Sequence, residues 1–259
     1  MPSKFLYQIL RLIWFKIKYA GTAYKCPDCG ADLRKFKAHG LENNTISEWE
    51  IVGAMRKGSA KCPFCDTNER SRLVYVYLKQ EGAVKALDHV LHIAPETLLQ
   101  KFFQKEVNLL NYFPGDKFEA GYAYGNCFYL DATKMPFRDD YFDWIICNHV
   151  LEHIPDLQSA LRELWRVLKP RGRAILQVPI SFKLEKTLQR SDTDTPEKRE
   201  QWYGQHDHVR LFGRDYPEIL KSYGFQVNVI DAAPAFTSRY PEYKLNPGEK
   251  IFLVEKCAE

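Results

Sequence analysis

The chain has 259 residues, 45% of them hydrophobic and 27% charged, values of an ordinary folded protein that exclude a disordered, collagen-like or polytopic membrane chain. Its length exceeds one average domain, so one large α/β unit or a catalytic domain with a smaller appendage is expected. The net charge of +4 is uneven: residues 1–86 hold 15 Lys/Arg against 8 Asp/Glu, which makes the amino-terminal third the part suited to nucleic acid, an anionic membrane surface or an acidic substrate.

From Phe5 to Tyr19, Leu6, Ile9, Leu10, Ile13 and Ile17 recur at helical spacing, while Lys4, Arg11, Lys16 and Lys18 supply only positive charge. Residues 1–20 are therefore expected as a basic amphipathic helix that packs on the body of the protein or lies in a membrane interface through Trp14 and Phe15. Charges interrupt the apolar run before the roughly 20 residues that a bilayer requires, and no small-residue cleavage site follows, so neither a spanning helix nor a signal peptide is expected. Residues 21–85 hold two cysteine pairs around a polar middle, then a linking helix over Asn68–Gln80 whose Leu73, Val76 and Tyr77 share a face.

Residues 86–259 alternate short apolar runs with helical patterns. Strands are predicted at Val90–Ile93, Val107–Tyr112, Phe128–Leu130, Trp144–Cys147, Ala174–Val178, Phe225–Ile230 and Ile251–Glu255. Helices are predicted at Thr97–Glu106, Leu157–Leu168 and Asp215–Tyr223. Crossover connections of this kind build a doubly wound, mainly parallel α/β sheet of seven strands, with the last two strands as an antiparallel, hairpin-like edge. The charged stretch Ser181–His206 breaks the rhythm and is expected as an insertion near the active face, where such segments set specificity.

Seven cysteines are an odd number, and four of them form Cys26-Pro-Asp-Cys29-Gly30 and Cys62-Pro-Phe-Cys65. Each pair offers two thiolates from one tight turn, and together they supply the four soft ligands of a tetrahedral zinc site. A complete four-cysteine shell leaves no open position, so this Zn2+ is expected to be structural, within a small zinc ribbon. Metal ligation rather than disulfide bonding points to a reducing, cytoplasmic setting, peripheral to a membrane if the first helix binds one. Cys127, Cys147 and Cys257 are left as free thiols.

In an open α/β sheet, ligands bind beyond the carboxyl ends of the strands, near the point where strand order reverses. The first predicted strand ends in His92-Ile93-Ala94-Pro95-Glu96, with no glycine. Further on, Leu130-Asp131-Ala132-Thr133-Lys134-Met135-Pro136-Phe137 leads into Tyr141-Phe142-Asp143-Trp144-Ile145-Ile146-Cys147-Asn148-His149-Val150-Leu151-Glu152-His153-Ile154-Pro155-Asp156. This run resembles the core of class I S-adenosylmethionine-dependent methyltransferases of the methyltransferase type 11-like group. The resemblance implies that Asp131 accepts a hydrogen bond from the adenine amino group, that the backbone at Ala132 meets the ring edge, and that Asn148 and His149 lie beside the transferred methyl. The Ala-Pro-Glu variant of the first motif is similar to that of a subgroup that also carries an amino-terminal cysteine-pair region and a Glu-Arg-x-Arg-Leu helix, as Glu69-Arg70-Ser71-Arg72-Leu73 does here. His92, Ala94, Pro95 and Glu96 are accordingly expected at the methionine end of the cofactor. Asp116, a carboxylate after the second strand, is the candidate for the ribose hydroxyls.

The resemblance implies S-adenosylmethionine as cofactor and methyl transfer as the activity. A hydroxyl or amine acceptor must also lose a proton, for which histidine suits neutral pH. His149, His153, His206 and His208 lie in segments expected near the active face, and the resemblance places Gln205-His206-Asp207-His208 in the acceptor pocket, with His208 as general base. Three readings are open: a small-molecule or saccharide O-methyltransferase, a nucleic-acid methyltransferase guided by the basic zinc ribbon, and a non-catalytic zinc-ribbon binding protein.

Overall fold

The computed structural model describes residues 4–81, 84–118, 127–231 and 236–258. Helix α1 (Lys4–Tyr19) runs directly into strand β1 (Ala20–Lys25), which pairs antiparallel with β2 (Asp32–Leu33). Strands β3 (Lys37–His39) and β4 (Lys57–Lys61) form a second antiparallel ribbon, with the short helix α2 (Asn44–Glu48) in the connection between them. On α1 the apolar side chains Leu10, Ile13, Trp14 and Ile17 are about half or more exposed, so that face does not pack on the body. The side chains of residues 4–9, 11 and 12, Leu6 and Ile9 among them, lie outside the described ones.

The main sheet comprises β5 (Val90–Ile93), β6 (Tyr112–Asp116), β7 (Phe128–Tyr129), β8 (Phe142–Asn148), β9 (Leu168–Gln177), β10 (Phe225–Asp231) and β11 (Lys250–Lys256), in the spatial order β10-β11-β9-β8-β5-β6-β7. Only β11 runs against its neighbours. The expected doubly wound, mainly parallel seven-stranded sheet is what forms. Alternation along β8 divides the core: Ile145 and Cys147 face helices α5 (Leu157–Val167) and α7 (Tyr216–Ser222), whereas Trp144 and Ile146 face α3 (Glu69–Glu81) and α4 (Thr97–Glu106). Leu161, Leu164 and Leu220 fill the first layer, and Leu73, Tyr77, Leu99 and Phe103 fill the second.

Three elements depart from the sequence reading, each for a local reason. The strand predicted at Val107–Tyr112 begins only at Tyr112, because the Asn108 side chain accepts the Leu110 amide at 3.1 Å and closes a 3-10 turn over Leu109–Asn111. The antiparallel pairing of the last two strands holds, but β10 is the edge and β11 lies one strand in. Ile251 to Val254 are buried in succession, as an interior strand requires. Within Ser181–His206 a helix, α6 (Pro196–Tyr203), forms without an apolar period. Its ends define it: the Thr195 hydroxyl accepts the Lys198 amide at 3.3 Å, Pro196 opens the first turn, and Gly204 closes it at φ +82°.

The amino-terminal region is fastened onto the sheet. Val52 and Ile180 exchange backbone hydrogen bonds of 2.8 and 3.1 Å, Asn43 Nδ2 donates to Gly204 O at 2.9 Å, and Ser181 Oγ donates to Trp49 O. Arg72 is fully buried, donating to the carbonyls of Thr67, Tyr243 and Lys244 while its guanidinium lies 4.0 Å from the Phe36 ring. A charge so deep persists because carbonyls and an aromatic face replace water around it.

Candidate active site

After β5, β6 and β7 the chain crosses to the other side of β5 to form β8, so strand order reverses between β5 and β8. Their carboxyl ends therefore flank the crevice in which doubly wound sheets bind ligands. Ala94 follows β5 at φ +50° and His149 follows β8 at φ +56°. Each non-glycine residue in the left-handed region costs about 1–2 kcal/mol, and such strain gathers at functional sites. Ala94 thus adopts at the first strand end the conformation that a glycine would take freely, and its amide is held by Gly115 O at 2.9 Å.

A buried relay stiffens this strand end. His92 is fully buried, with Nδ1 2.9 Å from the Tyr112 hydroxyl and Nε2 3.0 Å from Glu96 Oε2. Because a carboxylate only accepts, Nε2 carries the proton and the Tyr112 hydroxyl donates to Nδ1. Asn148 Nδ2 donates to the other Glu96 oxygen at 3.1 Å, joining the ends of β5 and β8. Burial works against the charge of Glu96, but His92 and Asn148 outweigh it and hold the carboxyl below its ordinary range. Both ring nitrogens of His92 are engaged, so this residue holds Glu96 rather than touching a ligand. Pro95, partly buried, leads into Glu96, which stands just before the first turn of α4. The buried Asn148 Oδ1 has no hydrogen-bond partner and is available to one.

On the other side of β5, Asp116 ends β6 and accepts the Phe118 amide at 3.2 Å. Asp131 follows β7. Its Oδ1 accepts from the Thr133 amide at 2.9 Å and hydroxyl at 2.7 Å, closing a turn, while Oδ2 faces Lys117 Nζ at 3.5 Å. Burial would raise this carboxyl, but Thr133 and Lys117 prevail and lower it, leaving an ionised acceptor. Ala132 is buried directly after it. Glu96, Asp116, Asp131 and Asn148 therefore come to the carboxyl ends of four adjacent strands.

The histidines separate into two groups. His206 is exposed, whereas His208 is 1% exposed and meets the His153 ring edge-on at 4.8 Å. His149 Nδ1 lies 3.4 Å from Glu152 Oε1 and His153 Nε2 lies 3.9 Å from the same oxygen. Burial lowers His149 and takes His208 down to about 4, so both are neutral imidazoles near pH 7. Arg210, also fully buried, donates to the carbonyls of Leu151, Ile154 and Pro155 and to Gln189 Oε1, fixing the turn that carries Glu152 and His153.

Three further residues, Gly53, Arg70 and Glu249, border the site without a role assigned from the sequence. An added Cβ at Gly53 would stand 2.9 Å from His149 Cε1 and 3.6 Å from Glu249 Oε1, so the amino-terminal region lies against the strand-end loop, and at φ +87° the position suits glycine. Arg70 donates to Gly53 O at 3.2 Å and keeps a buried, unpartnered Nε. Its charge acts on Glu96, His149 and Glu249 together. Arg70 belongs to the string Glu69-Arg70-Ser71-Arg72-Leu73, in which no local pattern shows which way it faces. Glu249, 3% exposed, accepts from Asn246 Nδ2 at 3.2 Å and is pushed up to about 7 by burial.

The cysteines converge as expected. Cys26 and Cys65 sulfurs are 3.5 Å apart, Cys29 and Cys62 sulfurs 3.8 Å, and all four lie within 4.8 Å of one another. Tetrahedral zinc with Zn–S bonds of about 2.3 Å places its sulfurs roughly 3.8 Å apart, so the donor set fits that ion.

Residues 108–176 match the family model of a methyltransferase domain. That span contains Asp116, Asp131, Asn148, His149 and Glu152, but neither His208 nor the clustered Cys26, Cys29, Cys62 and Cys65. Over 46 residues the chain is 48% identical to a demethylmenaquinone methyltransferase of Streptomyces avermitilis, covering 18% of this chain and 20% of that protein. Over 63 residues it is 41% identical to a ubiquinone/menaquinone biosynthesis C-methyltransferase of Vibrio campbellii, covering 24% of each. The chain thus spans about a fifth to a quarter of the length of these curated relatives. Among solved structures, it is similar to S-adenosylmethionine-dependent methyltransferases from Mesorhizobium loti (14% identity, 71% of this chain and 98% of that one, TM-score 0.47) and Archaeoglobus fulgidus (15%, 71% and 94%, 0.46). The matched segment takes in β6, β7, β8 and nearly all of β9, and leaves β5 and Glu96 outside it.

Proposed function

We propose that this chain is an S-adenosylmethionine-dependent methyltransferase acting on a small-molecule or saccharide acceptor, at oxygen, with a structural zinc at Cys26, Cys29, Cys62 and Cys65. The observation that carries the reading is the convergence of Glu96, Asp116, Asp131 and Asn148 at the carboxyl ends of four neighbouring parallel strands, three of them within the segment matched to a methyltransferase domain. S-adenosylmethionine, when bound, supplies a methyl group already activated on sulfur. The residues present fit it: Asp116 offers acceptors for ribose hydroxyls, Asp131 an ionised acceptor for an amino group, and Asn148 an unpartnered buried oxygen. In this reading one of the two neutral imidazoles beside the turn after β8, His149 or His208, takes the acceptor's proton.

The exposed apolar face of α1, with Lys16 and Lys18 at its end, supports a peripheral contact with an anionic membrane surface. No helix among the described residues is long and apolar enough to cross a membrane. The relatives' names raise a carbon acceptor as the second reading, on local similarity alone.

The test is transfer of isotopically labelled methyl from S-adenosylmethionine to panels of hydroxylated small molecules, saccharides, quinone precursors and RNA. Label in a hydroxylated small molecule or saccharide supports the proposal. Label only in a quinone precursor or RNA, or none anywhere with the cofactor bound, overturns it.

A further inference from the structure

Glu152 lies 1% exposed beneath the strand-end crevice, and neither of its carboxylate oxygens has a hydrogen-bond partner. A buried carboxylate in that state is among the costliest groups a fold contains, and it is kept where a cation neutralises it. Nitrogen donors surround it. His149 Nδ1 is 3.4 Å and His153 Nε2 3.9 Å from Oε1, and His208 is itself buried with an unpartnered Nδ1. One ligand atom from each of Glu152, His153 and His208 lies within 4.8 Å of the others.

The backbone holds this grouping from two sides. Glu152 and His153 sit on the turn after β8, and His208 comes from the segment after α6, locked to that turn by the Val209 amide donating to Glu152 O at 2.9 Å. The carbonyls of Leu151, Ile154 and Pro155 all accept from Arg210, two residues beyond His208. His153 also has the supporting contact typical of a metal ligand: Nδ1 donates to Asp207 O at 3.2 Å, with Asp207 Oδ2 at 3.4 Å, which leaves Nε2 free for a cation on the Glu152 side.

We propose that Glu152, His153 and His208 form a site for one divalent first-row transition-metal ion, separate from the cysteine cluster. Two imidazoles and a carboxylate suit such ions, and three protein ligands leave coordination positions open. The partly exposed His153 gives the site a side reachable from solvent. The open positions would take hydroxyl oxygens of the methyl acceptor, and only this last assignment rests on the methyltransferase reading. A His208 nitrogen bound to metal cannot also act as general base.

The test uses Co2+ as probe on the full chain, with its cysteines already filled by zinc. The expected result is one further equivalent, bound with visible ligand-field bands and without thiolate charge-transfer absorption. Affinity falls on the order of tenfold or more in His153→Ala and in His208→Ala. His153 is partly exposed, so its variant keeps the test sound if the buried one unfolds. No uptake by the wild type, or uptake unchanged in the His153 variant, overturns the site. S-adenosylhomocysteine titrated into the same samples separates the two proposals: Co2+ binding without nucleoside binding upholds the metal site and overturns the methyltransferase reading, and the reverse result overturns the metal site alone.

Discussion

Glu249→Gln is the substitution whose effect follows most directly from the structure. The carboxyl is held at about 7 by burial, against an ordinary value near 4.5. A raised carboxyl binds its proton more tightly in the folded state, so it costs nothing at low pH, and the protein loses stability as pH rises from about 4.5 to about 7. With 1.36 kcal/mol for each pH unit between the two values, the full cost is about 3 kcal/mol, and about 2.5 kcal/mol of it appears between pH 5 and pH 8.5. Glutamine keeps the acceptor for Asn246 Nδ2 and cannot ionise. Urea unfolding of wild type and variant at both pH values isolates this term, because every other titrating group cancels in the double difference. The variant is expected to gain about 2.5 kcal/mol relative to wild type on going from pH 5 to pH 8.5. An identical pH dependence in the two proteins would mean that Glu249 is not held protonated by its burial.

Arg210→Met removes the donor that joins the carbonyls of Leu151, Ile154 and Pro155, and a stability loss of about 3 kcal/mol or more is expected by denaturant titration. A loss under about 1 kcal/mol would mean that the turn after β8 holds itself. Cys62→Ser should cost the protein its cysteine-bound zinc in metal analysis and open residues 20–61 to proteolysis while far-ultraviolet dichroism of the main sheet persists; retention of that zinc equivalent contradicts the four-cysteine assignment. The full chain should sediment with anionic phospholipid vesicles and not with neutral ones, with several-fold weaker binding in Ile17→Glu, since Ile17 lies on the exposed apolar face of α1. Failure of the wild type to sediment ends the membrane reading.

What was legible in the sequence was whatever a short period or fixed spacing encodes. Trp144 to Cys147 read as a strand, Leu157 to Leu168 as a helix, and two C-P-x-C turns as one four-cysteine metal site, because each pattern is local. Glu96 and Asp131 were legible only through the family resemblance of the motifs that hold them, and Asp116 only as a carboxylate after the second predicted strand, whose end Pro114-Gly115 blurs. Helix α6 was hidden because its definition lies in Thr195, Pro196 and Gly204 at its ends, with only Tyr203 buried along its length. The interior place of β11 depends on pairing across the chain, although the unbroken run Ile251–Val254 was a signal that a two-sided strand could have been read from. Arg70 and Gly53 were out of reach, since their relation to His149 arises only when the amino-terminal region closes on the sheet. His92 read as a ligand contact because its position at a strand end was visible, while the Tyr112 and Glu96 partners that engage both its nitrogens were not.

Cofactor binding at Asp131 is tested by a calorimetric titration of the zinc-loaded chain with S-adenosylhomocysteine, repeated on Asp131→Ala and on Thr133→Val. The valine variant loosens the same turn and keeps the carboxylate. One site per chain is predicted for the wild type, with affinity lowered about tenfold to a hundredfold in Asp131→Ala, the loss expected for a hydrogen bond to a charged group, and little changed in Thr133→Val. A folded wild type that binds no S-adenosylhomocysteine, or an Asp131→Ala variant that binds it as well as wild type, would rule out a nucleoside site at Asp131.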